Sequence, residues 1–297
     1  MHSYMRAVGF GTSINGEQEV DILLDRVCQK YETRRVVRLG EENRYFLEMT
    51  KACGPNVGLC VCGELDEEGF HRQYYFPYLR GSGDTCGGEV TVEKRVSGHS
   101  YEGVCEDGRV GVSLIFYLQN PGDFRRETEQ QHLRAAHVTT TLSALSLHGV
   151  ILLPQKTRET SDRSDRKRED YFTQRSAMVR AAKNGNQDAI ESLTLEDMDL
   201  YTMLARRTGR EDILSIVDTS FMPYGMECDQ YKIIGTIQFY TQAANSITGE
   251  MLWQLTVECC GMTFDVCINQ RDLMGEPEVG RRFKGTIWLQ GRLNYPE

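Results

Sequence analysis

At 297 residues the chain is long enough for about two domains of ordinary size, each with its own core. A hydrophobic share of 40%, a charged share of 26% and 28 Gly against only 7 Pro exclude collagenous, mucin-like and wholly disordered classes. A net charge of -9 and a pI near 5.3 argue against nucleic acid as a general partner, because phosphate backbones recruit proteins through Lys and Arg.

The opening Met1-His2-Ser3-Tyr4-Met5-Arg6 lacks the apolar core and small-residue cleavage site of a secretory signal. The stretch from Ala135 to Gln155 is broken by Thr, Ser, His and Gly and is not a membrane helix. A cytoplasmic location follows, and with it ten cysteines expected as reduced thiols rather than as a disulfide framework.

Val20, Leu23, Leu24, Val27 and Tyr31 fall at helical spacing behind Asn15-Gly16, with Glu17 and Glu19 placed for the first-turn dipole, and predict an amphipathic helix. Strands are expected over Tyr45 to Met49, Val57 to Cys62, Gln73 to Phe76, Glu89 to Glu93 and Val110 to Leu118, each short, β-branched or aromatic and bounded by turn residues. Val138 to Leu147 reads as a strand because of its three threonines, followed by a turn at His148-Gly149 and a buried strand Val150 to Leu153.

Between Lys156 and Asp170 eleven of fifteen residues are charged, which suits an exposed linker. Phe172, Met178, Val179 and Ala182 then share a helical face, Asp188 to Leu193 makes a second short helix, and Thr194-Leu195-Glu196-Asp197 has the form of a capping box. No 33-residue period recurs, so a repeat array is not expected. From Tyr231 the text is all strand: Ile233 to Tyr240, Met251 to Cys259, Met262 to Ile268 and Gly285 to Leu293. The fold class expected is therefore α+β. An N-terminal α+β domain occupies 1–155, a charged linker 156–170, a helical connector 171–210 and a small antiparallel β barrel or sandwich 211–297.

Two C-terminal stretches, Phe221-Met222-Pro223-Tyr224-Gly225-Met226-Glu227-Cys228-Asp229 and Phe264 to Gly291, carry a resemblance. With Met1 to Phe10 and Leu145 to Pro154, they make the chain similar to a family of functionally uncharacterised proteins of clostridial, Lachnospiraceae-type gut bacteria, a domain of unknown function. The resemblance implies a bacterial cytosolic protein and brings no activity, cofactor or site with it.

Several constellations invite a functional reading, and each has a plainer one. Cys60 and Cys62 leave the same face of a strand and, with Cys86, Cys105 and His71 or His99, supply soft zinc ligands, yet no Cys-x2-Cys knuckle accompanies them. They read better as buried thiols, as do Cys259, Cys260 and Cys267, and neither metal nor cofactor is expected. No catalytic signature surrounds any cysteine. Glu89, Glu93 and Lys94 suit an exposed strand better than a nuclease metal site. Asp218, Glu227, Asp229, Asp265, Asp272, Glu276 and Glu278 help give residues 211–297 twelve acids against six bases, without the Asp-x-Asp-x-Asp-Gly loop of a calcium site.

Arg281, Arg282 and Lys284 beside Phe283 and Trp288 form the best basic and aromatic cluster. An oligonucleotide-binding barrel uses such neighbours, but the acidity of the domain favours a protein interface, where Arg and Trp act as anchors. The expected function is a non-enzymatic cytosolic binding or scaffold protein with Arg281, Arg282, Lys284 and Trp288 on its binding surface. The alternatives are a hydrolase whose site forms only in three dimensions and single-stranded nucleic-acid binding by the C-terminal β domain. The partner expected is protein, with neither nucleic acid nor membrane. Trypsin under native conditions should cut first within 156–170, leaving fragments near 1–160 and 170–297, and resistance there would show the segment docked.

Overall fold

The computed structural model describes residues 2–152 and 219–296 apart from 13, 15, 41–42, 84, 87–89, 97, 108, 110–111, 130–137 and 226, with isolated positions between 178 and 192. The charged linker 156–170, and all but those isolated positions of the helical connector 171–210, lie outside the described residues.

The expected α+β class is overturned. The described residues are mainly β and build a closed five-stranded barrel beside a four-stranded sheet. A 3-10 turn over Ser3–Val8 and helix α1 (Glu17–Gln29) precede an antiparallel meander of β1 (Thr33–Arg38), β2 (Tyr45–Gly54), β3 (Val57–Asp66) and β4 (Gly69–Leu79). α1 buries Val20, Leu23, Leu24 and Val27, as their spacing requires. β3 is buried from Val57 to Gly63 because α1 packs on one side of the meander and the 3-10 turn and the barrel on the other.

Strands β5 (Val90–Lys94), β6 (Tyr101–Asp107) and β7 (Val112–Leu118) form a second meander, and α2 (Pro121–Glu129) follows it. The barrel consists of β8 (Thr139–Leu152), β10 (Gln230–Ala244), β11 (Met251–Cys259), β12 (Met262–Asn269) and β14 (Arg282–Asn294). All its pairings are antiparallel except β8 with β12. Short strands β9 (Ser220–Pro223) and β13 (Leu273–Met274) edge it, and β7 adds to β14 in parallel. No helix among the described residues is long and apolar enough to cross a membrane.

The C-terminal strands thus do not close a barrel by themselves. β8 supplies the fifth stave, and the turn expected at His148-Gly149 is absent. Gly149 instead leaves room for Phe283, whose ring would lie 2.4 Å from a Cβ there, and β8 absorbs its irregularity as a bulge at Leu147. Inside the barrel Leu142, Ile233, Leu255, Val266, Ile287 and Leu289 pack together, while alternate residues Cys267 and Trp288 face outward into the core shared with the sheet.

That shared core is clasped by the β10–β11 turn. Asn245 Nδ2 donates to Val8 O at 2.7 Å and Thr248 Oγ1 to Gly9 O at 2.6 Å. Gly9 has φ +92, and a Cβ there would stand 2.7 Å from Asn245 Cβ, so only glycine fits. The Glu250 carboxylate receives Gly11 N at 3.2 Å, Thr12 N at 2.8 Å, Thr12 Oγ1 at 2.6 Å and Asn269 Nδ2 at 2.6 Å. Burial opposes its charge, yet these donors hold it below the ordinary carboxylate range. Its contribution to stability is therefore present above the unfolded value and lost as the pH falls through the depressed one. Glu250→Ala strands four donors and should cost about 2–4 kcal/mol in urea denaturation, with faster amide exchange over residues 4–12. An unchanged midpoint would refute the clasp.

Candidate functional site

One polar hollow lies on the seam between sheet and barrel, and a second lies between the N-terminal segment, the β5–β6 connection and the barrel. The first is a cavity of about 80 Å³ lined by Thr33 and Arg35 of β1, Glu48 and Thr50 of β2, Tyr78 of β4, Arg80, Gln119 and Arg292 of β14. That volume suits a few waters or one tetrahedral oxyanion. Thr33 and Thr50 join hydroxyls at 2.5 Å, and the Gln119 amide donates to Leu79 O, Ser143 Oγ and Gln290 Oε1.

Beneath the arginines are two buried carboxyls with different surroundings. Asp123, at the start of α2, has Arg35 Nη1 at 2.9 Å, Arg292 Nη2 at 3.5 Å and Arg126 Nη2 at 3.7 Å, and accepts from Asn120 Nδ2 at 3.2 Å. Glu48 is only 4% exposed, and its one hydrogen bond among the described residues comes from Gly122 N, at 2.8 Å on Oε2. Burial pushes its carboxyl up to about 7, with the Asp123 charge adding to the rise and the Gly122 N–H, Arg35 and Arg292 opposing it. Arg80 is exposed at the rim, and Arg125 lies over the rings of Phe46 at 4.3 Å and Tyr101 at 5.3 Å.

The second hollow, about 300 Å³, is lined by His2, Ser3, Tyr4, Arg95, Ser100, Glu227 and Trp288. Two of its lining residues hold Asp229, which is 0% exposed and accepts from Arg95 Nη1 at 3.0 Å and Trp288 Nε1 at 2.9 Å. Burial raises the Asp229 carboxyl against the pull of Arg95 and Trp288, and burial pushes the His2 imidazole down to about 4, leaving it neutral at pH 7. Trp288 has its faces and edges taken by Tyr4, His2 and Tyr117, with ring centroids at 5.0, 4.7 and 4.9 Å.

The basic and aromatic cluster singled out in the sequence is spread over the barrel. Trp288 is 2% exposed in the hollow just described. Arg281 pairs with Glu278 at 2.8 Å, Arg282 is buried on β14, and Lys284 borders a separate, largely apolar depression of about 790 Å³ with Met222 and Met274. Lys284 and Trp288 share a strand face but stand roughly 13 Å apart along it.

Cys60 and Cys62 are buried with their sulfurs 3.7 Å apart, and burial pushes the Cys60 thiol well up. Cys86 and Cys105 lie in the other core and are joined as a disulfide, which corrects the expectation that every cysteine is a free thiol. Cys259 donates to Ser220 O and Ile234 O, and Cys267 to Ala7 O. Cys260 forms part of the β11–β12 turn at φ +53. His71 pairs with Asp66 on the surface, and Glu93 and Lys94 are exposed on β5. Glu89 and Asp218 fall outside the described residues. Asp265 accepts from Ser82 and Thr256, Asp272 pairs with Arg6, and Glu227 accepts from Gln230. Among the described residues, no group of three or more His, Cys, Asp and Glu is arranged to hold a metal ion.

Arg35, Glu48, Arg80, Asp123 and Arg292 form no local motif. The signal available was Glu48 itself, the one charge in a run, Tyr45-Phe46-Leu47-Glu48-Met49, whose neighbours on both sides are buried. Between about pH 4.5 and 7 the folded chain keeps a proton on Glu48 that the unfolded chain has released. Stability from this carboxyl is thus present at the acid end and lost as the pH rises through about 7, by up to about 1.4 kcal/mol per unit. Denaturation midpoints should show this slope from pH 5 to about 7 and level off above it, and Glu48→Gln should flatten it. An equal slope in the variant would place the titration elsewhere.

A family model described as a domain of unknown function from an E. rectale gene, DUF3881, matches residues 5–291. No curated protein and no solved structure matches the chain.

Proposed function

Because the chain belongs to the DUF3881 family, whose description names no activity, we propose a function from the site itself: a non-catalytic binding protein for a small ligand that carries an oxyanion, phosphate or carboxylate. The observation that carries this reading is the convergence of Arg35, Arg80 and Arg292, from three distant stretches of an acidic chain, on one small polar cavity. Guanidinium groups present planar forks that match oxyanions, and they keep their charge at any working pH. Asp123 draws on Arg35 and Arg292 from below and holds them in place, while Arg80 has no charged partner among the described residues.

A binding role also fits the chemistry around the cavity. Its threonine hydroxyls, Thr33 and Thr50, bond to each other, and neither makes a hydrogen bond to a basic side chain among the described residues. The cavity admits an anionic group rather than a whole drug-sized molecule, so the rest of a larger ligand would extend past Arg80 toward solvent.

Isothermal titration of the full chain with sulfate, inorganic phosphate and acetate tests the reading. Saturable binding is expected, weakened about tenfold or more by Arg80→Ala, which removes a charge-assisted contact without disturbing Asp123. Absence of binding, or binding that Arg80→Ala and Arg292→Ala leave unchanged, would overturn it.

A further inference from the structure

The two carboxyls beneath the arginines are not equivalent, and the difference has a consequence for what the cavity can hold. Asp123 is surrounded by Arg35, Arg126 and Arg292 and by the Asn120 amide. Glu48 lines the cavity itself, and its Oε2 is occupied by Gly122 N. Its Oε1 makes no hydrogen bond with any described residue. A carboxylate at that position repels an incoming oxyanion, whereas a carboxylic acid offers it an O–H donor.

Resting on the oxyanion reading above, we infer that the site takes up its ligand together with a proton, carried on Glu48 Oε1 and donated as a hydrogen bond to the bound oxyanion. The proton comes from solvent, and no bond of the ligand is made or broken. Glu48 is thereby a specificity-determining residue. It favours ligands that present an acceptor oxygen to it and sets the pH range over which the arginine rim is usable.

The charged and titratable groups around Glu48 support this assignment from every side. Arg35 on β1, Arg80 after β4 and Arg292 on β14 are cations throughout the neutral range. Tyr78 on β4 is pushed up to about 12 by burial, and on β3 Cys62 pairs directly opposite Glu48 and shares a thiol contact with Cys60, whose thiol burial raises as well. Asp123 on α2 contributes the negative charge that, with burial, brings Glu48 to about 7. A bound oxyanion adds a second negative charge beside Glu48 and raises its proton affinity further, and by linkage protonation raises the affinity for the anion equally.

Sulfate is the probe of choice, because it does not itself titrate between pH 6 and 8.5. Calorimetric titration of the full chain at pH 7, in two buffers of different ionisation enthalpy, should show net uptake of roughly half a proton per sulfate bound. Affinity should fall as the pH rises from 6 to 8.5, approaching about tenfold per unit at the alkaline end. Glu48→Gln keeps an acceptor for Gly122 N and supplies a permanent neutral donor. It should bind sulfate with no proton uptake and a flat pH profile, and more tightly than the wild type at pH 8.5.

Arg80-dependent sulfate binding without proton uptake would overturn the proton-coupled assignment and leave the oxyanion site standing. So would a pH slope that Glu48→Gln retains. No sulfate binding in either protein at any pH would overturn both. The buffer comparison uses the wild-type chain alone, so the proton count does not depend on how well the variant folds.

Discussion

The clasp between the β10–β11 turn and the N-terminal segment is the contact on which the rest of the molecule depends. The 3-10 turn Ser3–Val8 has Tyr4, Met5, Ala7 and Val8 buried between the four-stranded sheet and the barrel, and a short helical turn has too few internal hydrogen bonds to hold itself there. Asn245, Thr248 and Glu250 supply partners from 237 to 239 residues away in sequence, so the β10–β11 turn and the N-terminal segment close over one core. Both polar hollows join elements from distant parts of the sequence. One takes Arg35 and Glu48 from the sheet and Arg292 from the barrel, and the other takes His2 and Tyr4 from the clasped segment and Trp288 from the barrel.

Along the seam the chain buries carboxyl groups and handles each by different means. Removing a carboxylate from water is costly unless donors or cations replace the lost hydration. Glu250 receives four hydrogen-bond donors and stays well ionised, whereas Asp123 is met by three guanidinium groups. Asp229 has one arginine and an indole N–H, and burial still raises it. Glu48 has a single backbone donor, and the cost of its charge appears as titration near neutrality. An arginine rim above such a group makes a pocket whose field depends on pH. A net charge of -9 over the whole chain does not describe that local field.

The elements most visible in the sequence were those whose stability is mostly local. The 3.6-residue spacing of Val20, Leu23, Leu24 and Val27 marks α1, and the alternation within β10, β11 and β12 marks the antiparallel ribbon that dominates the C-terminal third. β1, β6 and α2 went unseen. β1 has three arginines among its six residues and is ordered by pairing with β2, and α2 is mostly polar and opens with the buried Pro121, Gly122 and Asp123. Glycine misled at position 149, where it marks the approach of the Phe283 ring rather than a turn. Trp288 and Lys284 lie on one strand face, as their even spacing requires, but burial differs along a thirteen-residue strand, and the two serve different environments.

What the sequence determined by itself is the set of short-range facts: which stretches alternate with period two, which helix carries an apolar face, that the whole is acidic, and to which family the text is similar. These follow from side-chain chemistry and backbone geometry over a few residues. That β8 closes the barrel, that Cys86 meets Cys105, and that Arg35, Glu48, Arg80, Asp123 and Arg292 converge was decided only by tertiary structure. Those residues lie up to 257 positions apart, and nothing local distinguishes an arginine that will face solvent from one that will face a buried carboxyl. Burial and the field of distant neighbours make that distinction, and both exist only once the sheet and the barrel have docked.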